Sequence, residues 1–323
     1  MNRVVRAILG LFAAPRVNMR EDYEKVRRLQ RGLAARPVQR YRVLDREILS
    51  EDGERQIPVR IFRPKEKRRD LVILFFHGGG WVTGDIESYT PACAAMADLT
   101  GCLVASVDYR LAPEHPFPAG LDDCLRATRL LLEEPGRMGL ESAAQVVLAG
   151  DSAGGSLAAV VSMLLHEEGH ILPGRQILLY PVTHWDHDPQ TSPYESVTQH
   201  GQGYRLTHTE VEDYMDLYVP DPAMREDRRV APILSDDLTG QPTTLVITAE
   251  LDLLRDEGEA YGQALAEAGT SVRIHRVDEA IHGFITLPRF ARPLREAYGV
   301  INEFLDVPLD AGAHEEDAEE DLA

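Results

Sequence analysis

The sequence predicts an α/β fold with a mainly parallel central sheet and helices on both faces. After residue 70, short continuous apolar segments alternate with amphipathic patterns of helical period. Continuous apolar runs are typical of strands that are covered on both sides, and the intervening helices would supply that cover. A chain of 323 residues with 44% apolar residues is also long enough to bury one large core, or one core and a lid.

The predicted elements follow one another along the chain. Residues 1 to about 36 show apolar side chains at helical spacing. Two extended segments, 41–49 and 57–62, flank a turn at 50–53 and predict a hairpin at one edge of the sheet. The predicted strands of the parallel part are 71–76, 103–107, 146–149, 177–179, 244–248 and 272–277. The predicted helices between or after them are 90–99, 120–132, 156–167, 257–268 and 294–304.

One insertion interrupts the alternation of strands and helices. The roughly 60 residues that precede the strand at 244–248 are too many for a plain connection, and 208–219 within them has a helical pattern. We expect this insertion to pack with the N-terminal helices as a cap over the carboxyl edge of the sheet. The expected parts are N-terminal cap helices (1–40), a first core segment (41–182), a cap insertion (183–240), a second core segment (241–308) and a disordered acidic tail (309–323).

The composition excludes several classes of partner. A net charge of −19 argues against nucleic acid and anionic membrane surfaces, since both require clustered basic residues. No stretch approaches the about 20 apolar residues of a membrane span, so no stable membrane insertion is expected. Cys93, Cys102 and Cys124 fit no metal framework and indicate reduced thiols in a cytoplasmic protein. The stretch 4–14 could pass for a weak targeting signal, but its arginine favours an amphipathic helix.

The segment Gly150–Gly154 is the main indication of chemistry. A short apolar run ends at Gly150, and a helical pattern follows, so Ser152 would stand at the apex of a sharp strand-to-helix turn. Small neighbours are required there because the apex backbone is strained, and the following helix directs its N–H groups toward the serine. The pattern therefore predicts a nucleophilic serine. A turn whose serine only caps the helix is the alternative.

A serine nucleophile needs a base and an acid, and in this type of sheet the chain order is serine, acid, histidine. Asp252 follows the strand at 244–248, at the sheet edge where ligands bind. Glu250, Asp256 and Asp278 are competing acids, although a helix beginning near Asp256 would carry that residue away from the edge. His282 follows the strand at 272–277 and precedes a glycine, so it is the predicted general base.

A third motif, His77–Trp81, follows the strand at 71–76 and contains Gly78, Gly79 and Gly80 in succession. Three glycines let bare backbone N–H groups approach a ligand closely. Together with the N–H of Ala153 they predict an oxyanion hole. A flexible glycine turn is the alternative.

Four motifs together resemble the hormone-sensitive-lipase-like esterases, which have the α/β-hydrolase fold. They are His77–Trp81, Asp108–Glu114, Gly150–Gly155 and His282–Phe284, and the resemblance covers roughly residues 40 to 306. It implies a Ser152–Asp252–His282 triad that uses no metal or cofactor. It also implies oxyanion donors at Gly79, Gly80 and Ala153, with Gly78 shaping the loop, and a supporting role for Asp108–Glu114. The chain departs from the family at Leu253–Leu254, where members often carry a proline.

The expected activity is hydrolysis of small carboxylic esters of short to medium acyl length through an acyl-enzyme. Trp81 and Phe284 are expected to line the acyl pocket, or to belong to the core. The segment Thr183–Asp188 carries metal-ligand residue types, but a cap loop or part of the pocket rim is the preferred interpretation. Amide hydrolysis or deacetylation on the same triad is an alternative function, and so is a non-catalytic small-molecule receptor. Family expectation also implies that a second copy could pair with the last strand and C-terminal helix as a homodimer.

Overall fold

The computed structural model describes residues 18–34 and 42–308. Within them, eight strands form one sheet in the order β1-β2-β4-β3-β5-β6-β7-β8. The bounds are β1 Val43–Leu49, β2 Gln56–Phe62, β3 Val72–Phe76, β4 Leu103–Val107, β5 Val146–Asp151, β6 Arg175–Leu179, β7 Thr243–Leu251 and β8 Val272–Ile281. Strands β3 to β8 are parallel, whereas β1 and β2 form an antiparallel hairpin that joins the sheet through β4. The predicted α/β fold and the hairpin at one sheet edge are confirmed.

Eight α-helices accompany these strands in the described part of the chain. They are α1 Met19–Ala34, α2 Thr90–Thr100, α3 Ala119–Glu133, α4 Ala153–Glu167, α5 Glu195–His200, α6 His208–Tyr218, α7 Arg255–Glu267 and α8 Arg292–Asp306. Each predicted helix within the described residues is present, with ends that differ by three residues or fewer. Helix α5 was not predicted because six residues are too few to show a periodic apolar pattern. None of these helices is both long enough and apolar enough to cross a bilayer.

The two faces of the sheet are both buried. In β3, Leu74 belongs to one apolar cluster with residues of α3, α4 and α7, while Ile73 and Phe75 belong to the opposite cluster with residues of α2 and α8. Successive strand side chains point to opposite faces, so a strand covered on both sides must be apolar at every position. This is the physical reason for the continuous apolar runs in the sequence.

The carboxyl ends of the parallel strands meet at one edge of the sheet. Three of these strands continue past their predicted ends: β5 to Asp151, β7 to Leu251 and β8 to Ile281. The sequence predicted shorter strands because each strand continues through glycine or charged residues, which break the apolar run. An irregularity in the β7–β8 register between Ala249 and Leu251 accompanies the extension.

Two helices that the sequence assigned to a cap contact each other. Arg20 of α1 forms an ion pair with Asp213 of α6 at 2.7 Å. Arg27 of α1 also donates to the carbonyl oxygens of Val82 and Ala112, at 2.7 Å each, in the loops below. The division into cap and core segments stays a prediction. Residues 1–17 and the acidic tail lie outside the described residues.

The segment Asp108–Glu114 is held by buried polar contacts. The backbone N–H of Arg110 donates to Asp123 of α3 at 3.0 Å, and the Arg110 guanidinium binds the same carboxylate at 2.9 Å. Asp123 is almost fully buried and also pairs with Arg55. Two arginines compensate a carboxylate that would be costly to bury alone. These contacts fix the loop that lies directly beneath the glycine motif.

Candidate active site

Ser152 stands at the junction of β5 and α4 in a strained backbone conformation. Its φ and ψ are 55° and −122°, a region that a residue with a side chain seldom occupies. A Cβ at Gly150 would lie 2.1 Å from the Gly154 carbonyl oxygen, and one at Gly154 would lie 2.0 Å from the Phe76 carbonyl oxygen. Both glycines are therefore required for the turn, as the sequence pattern predicted.

The imidazole of His282 lies between the serine and an aspartate. Its Nε2 is 2.9 Å from Ser152 Oγ, and its Nδ1 is 2.6 Å from Asp252 Oδ2. Asp252 is 1% exposed, so little solvent weakens its interaction with the imidazole. The ring of Tyr180 packs edge-on against His282 with centroids 4.9 Å apart. The three side chains predicted from distant parts of the chain are thus brought together.

The competing acids are placed elsewhere. Glu250 accepts a hydrogen bond from the backbone N–H of Glu279 at 2.6 Å. Asp256 lies in the first turn of α7 and accepts from the backbone N–H of Ser196 at 2.8 Å, which agrees with its interpretation as a helix N-terminal carboxylate. Asp278 is exposed on β8. Among the four candidates, Asp252 is the acid that contacts His282.

The glycine motif packs against the serine turn. Gly79 and Gly80 have φ values of 117° and 61°. A Cβ at Gly79 would lie 2.2 Å from the Thr83 carbonyl oxygen, and one at Gly80 would lie 2.3 Å from the ring of Tyr214. Within the described residues, the N–H groups of Gly79, Gly80 and Ala153 have no hydrogen-bond acceptor. These three N–H groups are therefore unpaired in that part of the chain.

Gly78 differs from its neighbours because its N–H is already engaged. It donates to Asp151 Oδ1 at 2.7 Å, and Asp151 Oδ2 accepts from the hydroxyl groups of Tyr89 and Tyr180 at 3.1 and 3.3 Å. Burial raises the pKa of Asp151, and the Gly78 N–H and the Tyr89 hydroxyl oppose that rise. The sequence reasoning missed this carboxylate. Its place immediately before Ser152 in the serine motif was the available signal.

The segment Asp108–Glu114 supports the glycine motif from below. The hydroxyl of Tyr109 donates to the His77 carbonyl oxygen at 2.6 Å, and the two rings stack with centroids 4.4 Å apart. The backbone N–H of Ala112 donates to the carbonyl oxygen of Trp81 at 2.9 Å. Both ends of the glycine motif are thereby fixed.

The two aromatic residues expected in the pocket are both buried. Trp81 stacks on Tyr218 of α6 with centroids 4.4 Å apart, and Phe284 packs edge-on against Tyr180 at 5.0 Å. Each belongs to one of the two apolar clusters of the core. Their role in lining an acyl pocket stays a prediction. The aromatic side chain that the sequence reasoning missed is Tyr214, whose ring lies over Gly80.

The histidine-rich segment Thr183–Asp188 attaches the insertion to α7. His187 Nε2 is 2.8 Å from Glu257 Oε2, and the backbone N–H of Thr183 donates to Glu257 Oε1 at 2.7 Å. Both ring and carboxylate are buried. Residues 18–34 and 42–308 contain no group of three or more His, Cys, Asp or Glu side chains arranged to hold a metal ion.

Comparison with known proteins assigns the fold family. Residues 73–286 match the family described as alpha/beta hydrolase fold. Carboxylesterase NlhH of Mycobacterium tuberculosis is 34% identical over 260 residues, which are 79% of this chain and 80% of that protein. Ethyl acetate hydrolase of Pseudomonas putida is 31% identical over 306 residues, which are 94% of this chain and 93% of that protein.

A solved structure gives the same result. The hyperthermophilic esterase of the archaeon Pyrobaculum calidifontis superposes with a TM-score of 0.81 at 32% identity, covering 94% of this chain and 97% of that one. The resemblance drawn from the four sequence motifs is confirmed. The chain belongs to the α/β-hydrolase fold family, and within it the chain is a serine carboxylesterase.

Proposed function

We propose that Ser152, His282 and Asp252 carry out ester hydrolysis through an acyl-enzyme. The observation that supports this most directly is the continuous hydrogen-bonded series from Asp252 Oδ2 through both nitrogens of His282 to Ser152 Oγ. His282 takes the hydroxyl proton while Ser152 Oγ attacks the ester carbonyl carbon. Asp252 holds the ring with Nε2 toward the serine and stabilises the imidazolium that forms.

The negative charge that develops on the carbonyl oxygen is bound by the N–H groups of Gly79, Gly80 and Ala153. Fixed donors of this kind stabilise the transition state because they need no reorganisation during the reaction. Collapse of the tetrahedral intermediate breaks the bond to the alkoxide, which leaves with the proton from His282. Water then attacks the acyl-serine while His282 takes one of its protons. The carboxylic acid departs and Ser152 regains its proton.

The proposed substrates are esters of short to medium acyl length. The insertion places α6 over the glycine motif, and the ring of Tyr214 contacts Gly80. Side chains above the oxyanion donors limit the space for a long chain. Amide hydrolysis or deacetylation would use the same triad and stays an alternative. The esterase relatives favour ester hydrolysis. A receptor without catalysis would not need Ser152, His282 and Asp252 in one hydrogen-bonded series.

We also propose that the protein is cytoplasmic and forms a dimer. Cys93, Cys102 and Cys124 are buried free thiols, which is usual for a cytoplasmic protein.

Strand β8 is an edge strand of the sheet and could pair with a second copy. We expect a dimer, measured by light scattering coupled to size exclusion. A monomer at every concentration tested would contradict this assembly.

Replacing the triad residues is expected to abolish turnover. Ser152→Ala and His282→Ala should each lower kcat on a nitrophenyl ester by about 10⁴-fold or more, because the nucleophile or its base is lost. A fluorophosphonate probe should label the peptide that contains Ser152. Ser156→Ala, one turn along α4, serves as the matched control and should retain activity. Labelling of a different serine would contradict the assignment.

The proposed role of Asp252 is tested by the same measurement of kcat on a nitrophenyl ester. Asp252→Asn should lower kcat by about 10⁴-fold, since the amide stabilises the wrong tautomer of His282. Glu250→Gln, two residues earlier, should keep most of the activity because Glu250 contacts the backbone of Glu279 rather than the imidazole. Equal losses in both variants would argue against Asp252.

Asp151 is expected to act as a positioning residue for the oxyanion donors. Asp151→Ala removes the acceptor of the Gly78 N–H, so the loop should lose its fixed position and kcat should fall about 10²-fold. KM should change little, since the ground-state ester makes weaker contacts with these donors. Asp151→Asn retains an acceptor oxygen and should recover most of the lost kcat. A wild-type kcat for Asp151→Ala would exclude this role.

The acyl-length limit is checked with a series of nitrophenyl esters from acetate to palmitate. We expect kcat/KM to be highest for short and medium chains, because the insertion covers the glycine motif. A maximum at the dodecanoyl ester or longer would show that the cap does not restrict chain length. Tyr214→Ala should extend the accepted length, since it removes the ring that contacts Gly80.

A further inference from the structure

Arg205 lies in the insertion between α5 and α6, and its guanidinium rests against the loop that carries His282. Its Nη1 donates to the carbonyl oxygen of Gly283 at 3.3 Å, and both terminal nitrogens are 3.4 Å from Thr286 Oγ1. A Cβ built on Gly283 would lie 3.2 Å from the guanidinium carbon. The charge is therefore held against the residue that immediately follows His282.

The positive charge of Arg205 also affects tyrosines around the candidate active site. Burial raises the pKa of Tyr89, Tyr180 and Tyr214, and the positive charge of Arg205 opposes that rise in each of the three. Tyr180 packs on His282, and the ring of Tyr214 lies over Gly80. Arg205 thus contacts the loop that carries His282, and its charge acts on tyrosines that pack against His282 and Gly80.

Within the residues that the structure describes, the Arg205 guanidinium keeps a charge and N–H donors that are not fully engaged. In the described ranges, no carboxylate forms an ion pair with Arg205, whereas Arg225 and Arg255 of the neighbouring segments pair with Asp216 and Asp256. The two acceptors of Arg205 are neutral, and the bonds to them are long. A guanidinium offers five N–H donors in a fixed fork that matches a carboxylate. The side chain is also exposed, so a ligand can reach it.

We infer that Arg205 selects ester substrates that carry a carboxylate in addition to the scissile ester. This inference rests on the proposed function, because it requires the ester to be bound at Ser152. The carboxylate would form charge-assisted hydrogen bonds with the guanidinium while the carbonyl oxygen occupies the oxyanion donors. The substrate class is therefore half-esters of dicarboxylic acids, or acyl esters of hydroxy acids.

The test compares each anionic ester with a neutral analogue of similar shape, using a pH-stat. Monoethyl adipate is paired with ethyl hexanoate, and acetoxybutanoate with butyl acetate. Arg205→Gln should lower kcat/KM for the anionic member of at least one pair by about tenfold or more, and change the neutral member by less than about threefold. The pair that responds identifies which half of the ester reaches Arg205. Higher salt should lower the anionic preference of the wild type and not that of Arg205→Gln.

Two variants complete the design. Arg205→Lys keeps the charge but not the fork, so its anionic preference should be intermediate. Arg295→Gln makes the same change in net charge at an exposed position of α8, and it should behave as wild type.

The outcomes separate the two proposals. If the wild type hydrolyses neither member of any pair, the proposed function fails. If neutral esters are hydrolysed and the ratio of anionic to neutral kcat/KM is the same in wild type and Arg205→Gln, the inference is overturned while the proposed function stands. Equal losses on both members would show that Arg205 only positions the histidine loop, and would also overturn it.

Discussion

A buried carboxylate, Asp151, connects the two backbone segments on which the site depends. It ends β5, directly before Ser152, and it accepts the N–H of Gly78 from the neighbouring glycine motif. Burying a carboxylate is costly unless its oxygens are hydrogen-bonded. The hydroxyl groups of Tyr89 and Tyr180 supply the remaining donors. Ser152 and the glycine motif are therefore held in fixed relative positions, since a shift of either segment would break a hydrogen bond of this buried carboxylate.

The parallel sheet supplies the rest of the geometry. Because β3, β5, β7 and β8 run in the same direction, the residues that follow them emerge at one edge. The glycine motif, Ser152, Asp252 and His282 each occupy such a position. The close approach between the serine turn and β3 then excludes a side chain at Gly154, and the tightness of the turn itself excludes one at Gly150. Sheet direction brings the groups together, and small residues allow the last contacts.

The sequence was sufficient to predict the fold and the contacts that join Ser152, His282 and Asp252. Strands buried on both faces leave continuous apolar runs, and Ser152 and Asp252 come shortly after such runs, whereas His282 follows a strand of alternating apolar and basic residues. The sequence was weaker where an element is short or polar: α5 has six residues, and β8 continues through charged side chains to Ile281. It also missed Asp151 and Arg205. Their partners, Gly78 and Gly283, are distant along the chain. The place of Asp151 directly before Ser152 was a local signal, whereas no local pattern reveals the contact of Arg205.

The contact between Tyr214 and Gly80 has a consequence for engineering this protein. A ring from α6 occupies the space that a side chain at position 80 would need. Helix α6 and the glycine motif are therefore not interchangeable modules. A chimera that receives this segment from another esterase would need a residue there that fits against Gly80. Without such a residue, the glycine motif would lose the ring that packs on it.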